Sequence, residues 1–124
     1  MEKTKKKILI VEDDEDFLFI LQKKFTDAGF AVVTAQDGEG GAESAEMERP
    51  DLILSDVLLP KINGTEMAKK IKAAKIDLPI IFLTNLKDVD AINQEIKSSG
   101  YDCLIKSDLH IEDIVTKVKK KLKI

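Results

Sequence analysis

Five short apolar runs recur along this chain, and each is followed by apolar residues at helical spacing. The runs are residues 8–11, 31–35, 51–56, 78–83 and 101–105. A run that is apolar at successive positions is a strand covered on both faces. Strands alternating with helices pair in parallel through right-handed crossovers, with helices on both sides of the sheet. The expected architecture is therefore α/β, a doubly wound sheet of five parallel strands with five helices.

The helices have uneven signals. The first should span about residues 15–28, with Phe17, Ile20, Leu21, Phe25 and Ala28 as its core stripe and Gly29 as its stop. Leu18 and Phe19 fall off that stripe and are expected to face solvent as a small docking patch. The second helix carries Gly40-Gly41 near its start, at a cost of about 1 kcal/mol each relative to alanine, which predicts a loose first turn. Gly64, after Asn63, is expected at a positive φ ahead of the third helix. The fourth should turn Val89, Ile92 and Ile96 inward, and Ser107-Asp108 should cap the fifth. His110, the single histidine, then falls at the exposed start of that last helix.

With 124 residues, 44% hydrophobic and 35% charged, the chain suits one soluble domain over residues 1–124, residues 1–6 being a basic leader. A net charge of -3 gives no reason to expect nucleic acid as a partner. No apolar run approaches membrane-spanning length and no signal-peptide core is present, so a cytoplasmic location without membrane contact is expected. The lone cysteine, Cys103, allows neither an internal disulfide nor a zinc ligand set.

Open α/β sheets hold their ligands at the carboxyl ends of the strands. Glu12, Asp13 and Asp14 follow the first run, Asp56 ends the third, Thr84 the fourth and Lys106 the fifth. A helix-capping role for Asp56 is disfavoured, because the next helix starts only near residue 64. In a doubly wound sheet strands 1 and 3 are neighbours, so Glu12, Asp13 and Asp56 converge. Carboxylates that close repel one another, and a hard divalent cation relieves the repulsion. Magnesium suits the set, since it takes few carboxylates and bridges to phosphate oxygens. Lys106 as a point charge and Thr84 as a donor would hold a phosphoryl group opposite it. Asp56 is left as the nucleophile of aspartyl-phosphate chemistry.

Residues 8–14 (ILIVEDD), 51–56 (DLILSD), Leu59-Pro60 with Gly64, 81–84 (IFLT) and 104–106 (LIK) resemble the receiver domain of two-component response regulators, over essentially the whole chain. The resemblance implies a flavodoxin-like fold with strand order 2-1-3-4-5. It implies Asp56 as phosphoacceptor from a histidine kinase or histidine phosphotransfer protein. Magnesium would be bound by Asp13 and Asp56, by Glu12 mainly through water, and by the backbone carbonyl of Leu58. Thr84 would move toward the phosphoryl group and Lys106 would pair with it. Such a protein catalyses its own phosphorylation and dephosphorylation but serves chiefly in signalling, either by docking to a downstream protein or by passing the group along a relay. A stand-alone, single-domain type without a DNA-binding module after Ile124 is expected.

The departures from the family pattern are specific. Ser107 stands where a proline in a cis bond is usual. A cis bond without proline costs about 3 kcal/mol, so a trans bond and a displaced Lys106 are expected. Cys103 stands where an aromatic switch residue is usual, and Tyr101 is expected on the wrong face of its strand to replace it. Asn85 stands where a small residue is usual after Thr84. Leu58 and Leu86 occupy the positions that tune loss of the phosphoryl group, and neither can orient a water. Two other readings remain open. One is a receiver acting as a phosphorylation-independent binding module. The other is a flavin or nucleotide domain, for which the Gly-rich phosphate loops are missing.

Overall fold

The computed structural model describes residues 5–85, 94 and 96–124. In chain order the elements are β1 (Lys7–Val11), α1 (Glu15–Asp27), β2 (Ala31–Ala35), α2 (Gly38–Glu48), β3 (Leu52–Asp56), α3 (Gly64–Ala73) and β4 (Ile80–Thr84). A further helix, α4, is described at residues 94 and 96–98, and β5 (Asp102–Ile105) and α5 (Ile111–Lys121) complete the chain. The strands form one parallel sheet in the order β2-β1-β3-β4-β5, as expected. Val89 and Ile92 lie outside the described residues, whereas Ile96 is buried as expected.

Successive side chains of a strand point to opposite faces, and that alternation divides the apolar runs between two cores. Ile8, Ile10, Leu52, Leu54, Ile81 and Leu83 pack under α1 and α5 with Leu18, Leu21, Phe25, Ile114 and Val118. Leu9, Val11, Ile53, Ile80 and Phe82 pack on the other side with Met67, Ile71 and Ile96. Complete burial of a side chain such as Phe25 contributes up to about 3 kcal/mol.

Phe17, Leu21, Phe25 and Ala28 of the expected α1 stripe pack on the core, but Leu18 takes the place expected for Ile20. Leu18 is in the core at 6% exposure, while Ile20 is 42% and Phe19 67% exposed. Residues 17–21 are all apolar, so periodicity alone cannot choose the face; packing of Leu18, Leu21 and Phe25 against β1 and α5 does. The exposed pair is therefore Phe19 and Ile20, not Leu18 and Phe19.

Two glycine expectations are also corrected. Gly64 has no positive φ; among the glycines that conformation belongs to Gly29 (97°) and Gly100 (83°). A Cβ on Gly64 would instead lie 2.6 Å from the Asp56 carbonyl oxygen and 2.8 Å from Phe82 Cε1. The first turn of α2 is capped rather than loose, with Gly40 N–H donating to Asp37 Oδ1 at 2.7 Å. Gly41 lets Val11 and the Met67 sulfur approach to 3.0 and 2.5 Å of where a Cβ would stand. Close packing outweighs the helix-propensity cost.

The start of α5 differs from expectation as well. Ser107 and Asp108 belong to a short 3-10 turn, Lys106–Asp108. His110, exposed as expected, is the residue ahead of α5, and its N–H donates to Asp113 Oδ2 at 3.0 Å. Tyr101 does not point away from Cys103. Residues two apart share a strand face, and both pack against the α2–α3 core, Tyr101 edge-on to Phe82.

Candidate functional site

Strand register brings the predicted residues together. Val11 pairs with Ser55, Asp56 with Leu83 and Thr84 with Ile105. The residues at or just past these pairs, Glu12, Asp56, Thr84 and Lys106, therefore share one edge of the sheet. Oxygens of Glu12, Asp13 and Asp56 lie within 4.8 Å of one another, with Glu12 buried, Asp56 half-buried and Asp13 exposed. Thr84 is buried at the end of β4.

Lys106 ties the acids together. Its Nζ donates to Glu12 Oε1 at 2.6 Å and to Asp56 Oδ2 at 2.8 Å. The peptide after it is not cis, none being cis among the described residues, and the lysine still reaches the cluster. The expected displacement of Lys106 is therefore corrected: its flexible stem spans from the end of β5 to β1 and β3 regardless of that bond.

The backbone supplies the remaining contacts. Glu12 Oε2 accepts from Asp14 N–H at 3.1 Å, and Asp56 Oδ1 accepts from Leu58 N–H at 3.3 Å. Asp14 itself is the N-cap of α1, accepting from Asp16 and Phe17 N–H. Its acid serves the helix, while Glu12 and Asp13 face the cluster.

Burial pushes the Glu12 carboxyl above its ordinary range, and the bonds from Lys106 and Asp14 offset this only in part. Burial alone would lower the Lys106 ammonium, but hydrogen bonds to Asp56 and Glu12 outweigh it and the net shift is upward. Both shifts are upward for different reasons: burial outweighs one lysine at Glu12, whereas two carboxylates outweigh burial at Lys106. Burial also raises the Cys103 thiol, which favours the protonated form.

Three features of the site were not anticipated. The Phe17 ring centroid lies 4.7 Å from Lys106 Nζ. Ser55 Oγ donates to the Asp56 carbonyl at 2.8 Å, fixing the turn after the acid. Gly64 leaves room for that same carbonyl. Only Gly64 carried a sequence signal, beside Asn63. Leu58 is 49% exposed beside Asp56, Asn85 is exposed after Thr84, and Leu86 lies outside the described residues.

Residues 8–119 match the family model for the response regulator receiver domain. The chain is 38% identical over 112 residues to the alkaline phosphatase synthesis transcriptional regulatory protein PhoP of Bacillus subtilis, covering 90% of this chain and 42% of that protein. It thus spans less than half the length of that relative. A solved receiver domain protein (CheY-like) from Methanospirillum hungatei superposes with TM-score 0.87 at 27% identity, covering 97% of this chain and 95% of the other. A two-component response regulator from Clostridium difficile gives TM-score 0.84 at 28% identity, covering 96% and 97%. No helix among the described residues is long and apolar enough to cross a membrane. With the matched fold, strand order and acid cluster in place, the chain belongs to the receiver domains of two-component response regulators, whose general function is to accept a phosphoryl group.

Proposed function

We propose that residues 1–124 act as one receiver domain, that Asp56 is its phosphoacceptor, and that Lys106 and Thr84 steady the transferred group. The observation that carries this reading is the Lys106 ammonium held between Glu12 and Asp56. Response regulators receive phosphoryl groups from histidine kinases, and receiver domains generally bind magnesium at an acidic pocket. Glu12, Asp13 and Asp56 fit that ion, being hard oxygen donors gathered at one point, and the Leu58 carbonyl would be a further ligand. When bound, magnesium would neutralise charge on the acids and on the phosphoryl oxygens.

The chemistry assigned to the chain itself is simple. An Asp56 carboxylate oxygen attacks phosphorus, the new O–P bond forms, and the bond from phosphorus to the donor histidine nitrogen breaks. The nitrogen leaves with its electron pair. Lys106, already 2.8 Å from Asp56 Oδ2, meets the charge on the transferred group, and the Thr84 hydroxyl donates to it.

Incubation with magnesium and acetyl phosphate, followed by intact mass, tests this. One added phosphoryl group is expected, and none on Asp56→Ala. Labelling of Asp56→Ala equal to wild type would overturn the assignment.

Two further outcomes follow from exposed side chains. Leu58 sits beside Asp56 and cannot direct a water, so Leu58→Asn is expected to lose its phosphoryl group several-fold faster (on the order of 1 kcal/mol in barrier), followed as mass decay in magnesium. Phe19 and Ile20 replace Leu18 and Phe19 as the candidate docking patch for the kinase. Phe19→Glu should slow phosphotransfer from the cognate kinase about tenfold while sparing acetyl phosphate. Equal slowing with both donors would contradict the docking role.

A further inference from the structure

We propose that Phe17 is a positioning residue for Lys106, its ring holding the ammonium at the phosphoryl site. The inference rests on the role given to Lys106 above. Nζ lies 4.7 Å from the Phe17 centroid, within the range of a cation–π attraction. An ammonium has three donors, and two of them go to Glu12 and Asp56. The ring therefore supplies a third restraint, from α1, on a side chain that also reaches β1 and β3.

The three restraints are not equivalent. Glu12 and Asp56 are also two acids of the metal cluster, so a cation or phosphoryl group arriving there competes with Lys106 for them. The ring takes no part in that exchange, and its hold on the ammonium persists. Phe17 is itself well fixed. It is half-buried against the α1–α5 core, and its N–H donates to the N-cap Asp14 at 3.3 Å. Lys106 stands past the end of β5, at the head of a three-residue 3-10 turn, and is followed by Ser107 rather than a rigid proline. A flexible lysine loses much rotamer freedom when held, and a preformed ring contact lowers the share of that loss incurred at the moment of transfer.

Phe17→Leu keeps apolar bulk and removes the ring. At saturating magnesium and acetyl phosphate its labelling rate is expected to fall about three- to tenfold, the worth of such a contact. Phe17→Tyr, which retains the ring face, should restore the rate. In a Lys106→Met background, Phe17→Leu should change the residual rate no further. A wild-type rate in Phe17→Leu, or the same fall in the Lys106→Met background, would overturn the inference.

A second readout needs no phosphodonor. The Lys106 ε-methylene protons should resonate upfield in the wild type, and return to the ordinary lysine position in Phe17→Leu. Absence of that displacement would overturn the inference even if Asp56 is labelled. Conversely, a wild type that never gains phosphate would refute the phosphoacceptor reading while leaving the displaced resonance to report the contact.

Discussion

Lys106→Met is expected to lose about a hundredfold in phosphorylation rate and to lose stability chiefly above mildly acid pH. The rate follows from removing a preorganised charge beside the nucleophile. The stability effect follows from what stays behind. Glu12 is 2% exposed and would face Asp56 with no cation between them. Breaking a buried pair by removing one partner costs about 3 kcal/mol while the acids are ionised.

The pH dependence has a definite sign. Burial raises Glu12, so the folded chain holds that proton more tightly than the unfolded chain does. Its contribution is complete below the unfolded value near 4.5 and is lost as pH climbs through the raised folded value. Lys106, also raised, contributes fully below 10.5 in the wild type and loses that contribution above it. Lys106→Met removes the pairing that partly offsets the burial of Glu12, so its deficit should be smallest in acid, where Glu12 is protonated, and grow as pH rises and Glu12 ionises. Urea denaturation at several pH values measures this, and a deficit that does not change with pH would contradict it. Magnesium should recover more stability in Lys106→Met than in the wild type, because it neutralises the same acids.

Gly64→Ala should destabilise the fold by about 3 kcal/mol although Gly64 has an ordinary φ. The added methyl would meet the Asp56 carbonyl oxygen at 2.6 Å, Phe82 Cε1 at 2.8 Å and the Val57 Cα at 3.2 Å. Backbone atoms cannot step aside as a side-chain tip can, so the turn that presents Asp56 must shift. Gly29→Ala is the useful contrast, since its Cβ would meet nothing within 4 Å and its only strain is a φ of 97°. That substitution should cost about 1 kcal/mol. Thermal melts of both variants decide the matter. A Gly64→Ala melt no lower than that of Gly29→Ala would show that the turn has slack.

The strands were readable because a sheet covered on both faces demands continuous apolar runs, and this chain supplies them at residues 8–11, 52–54 and 80–83. The acids were readable because each closes such a run. The face of α1 was readable only in part: Phe17, Leu21, Phe25 and Ala28 pack on the core as expected, but five consecutive apolar residues left the choice between Leu18 and Ile20 to packing. Leu18 went inward only because α5 and β1 offered it a place. The strand-face assignment of Tyr101 failed for a different reason: positions 101 and 103 share parity, and the structure places both on one core.

The sequence alone determined which side chains stand at the strand exits, since a strand of fixed period ends where its apolar run ends. It also determined the strand order, through the resemblance its motifs carry. Only the tertiary structure decided what those side chains touch. Lys106 is 94 residues from Glu12 and 50 from Asp56, and no local rule spans such distances. The same holds for Phe17 against Lys106 and for Gly64 beneath the Asp56 carbonyl. Those contacts exist because parallel register and helix packing fix atoms to within a few tenths of an ångström, a precision that residue pattern does not encode.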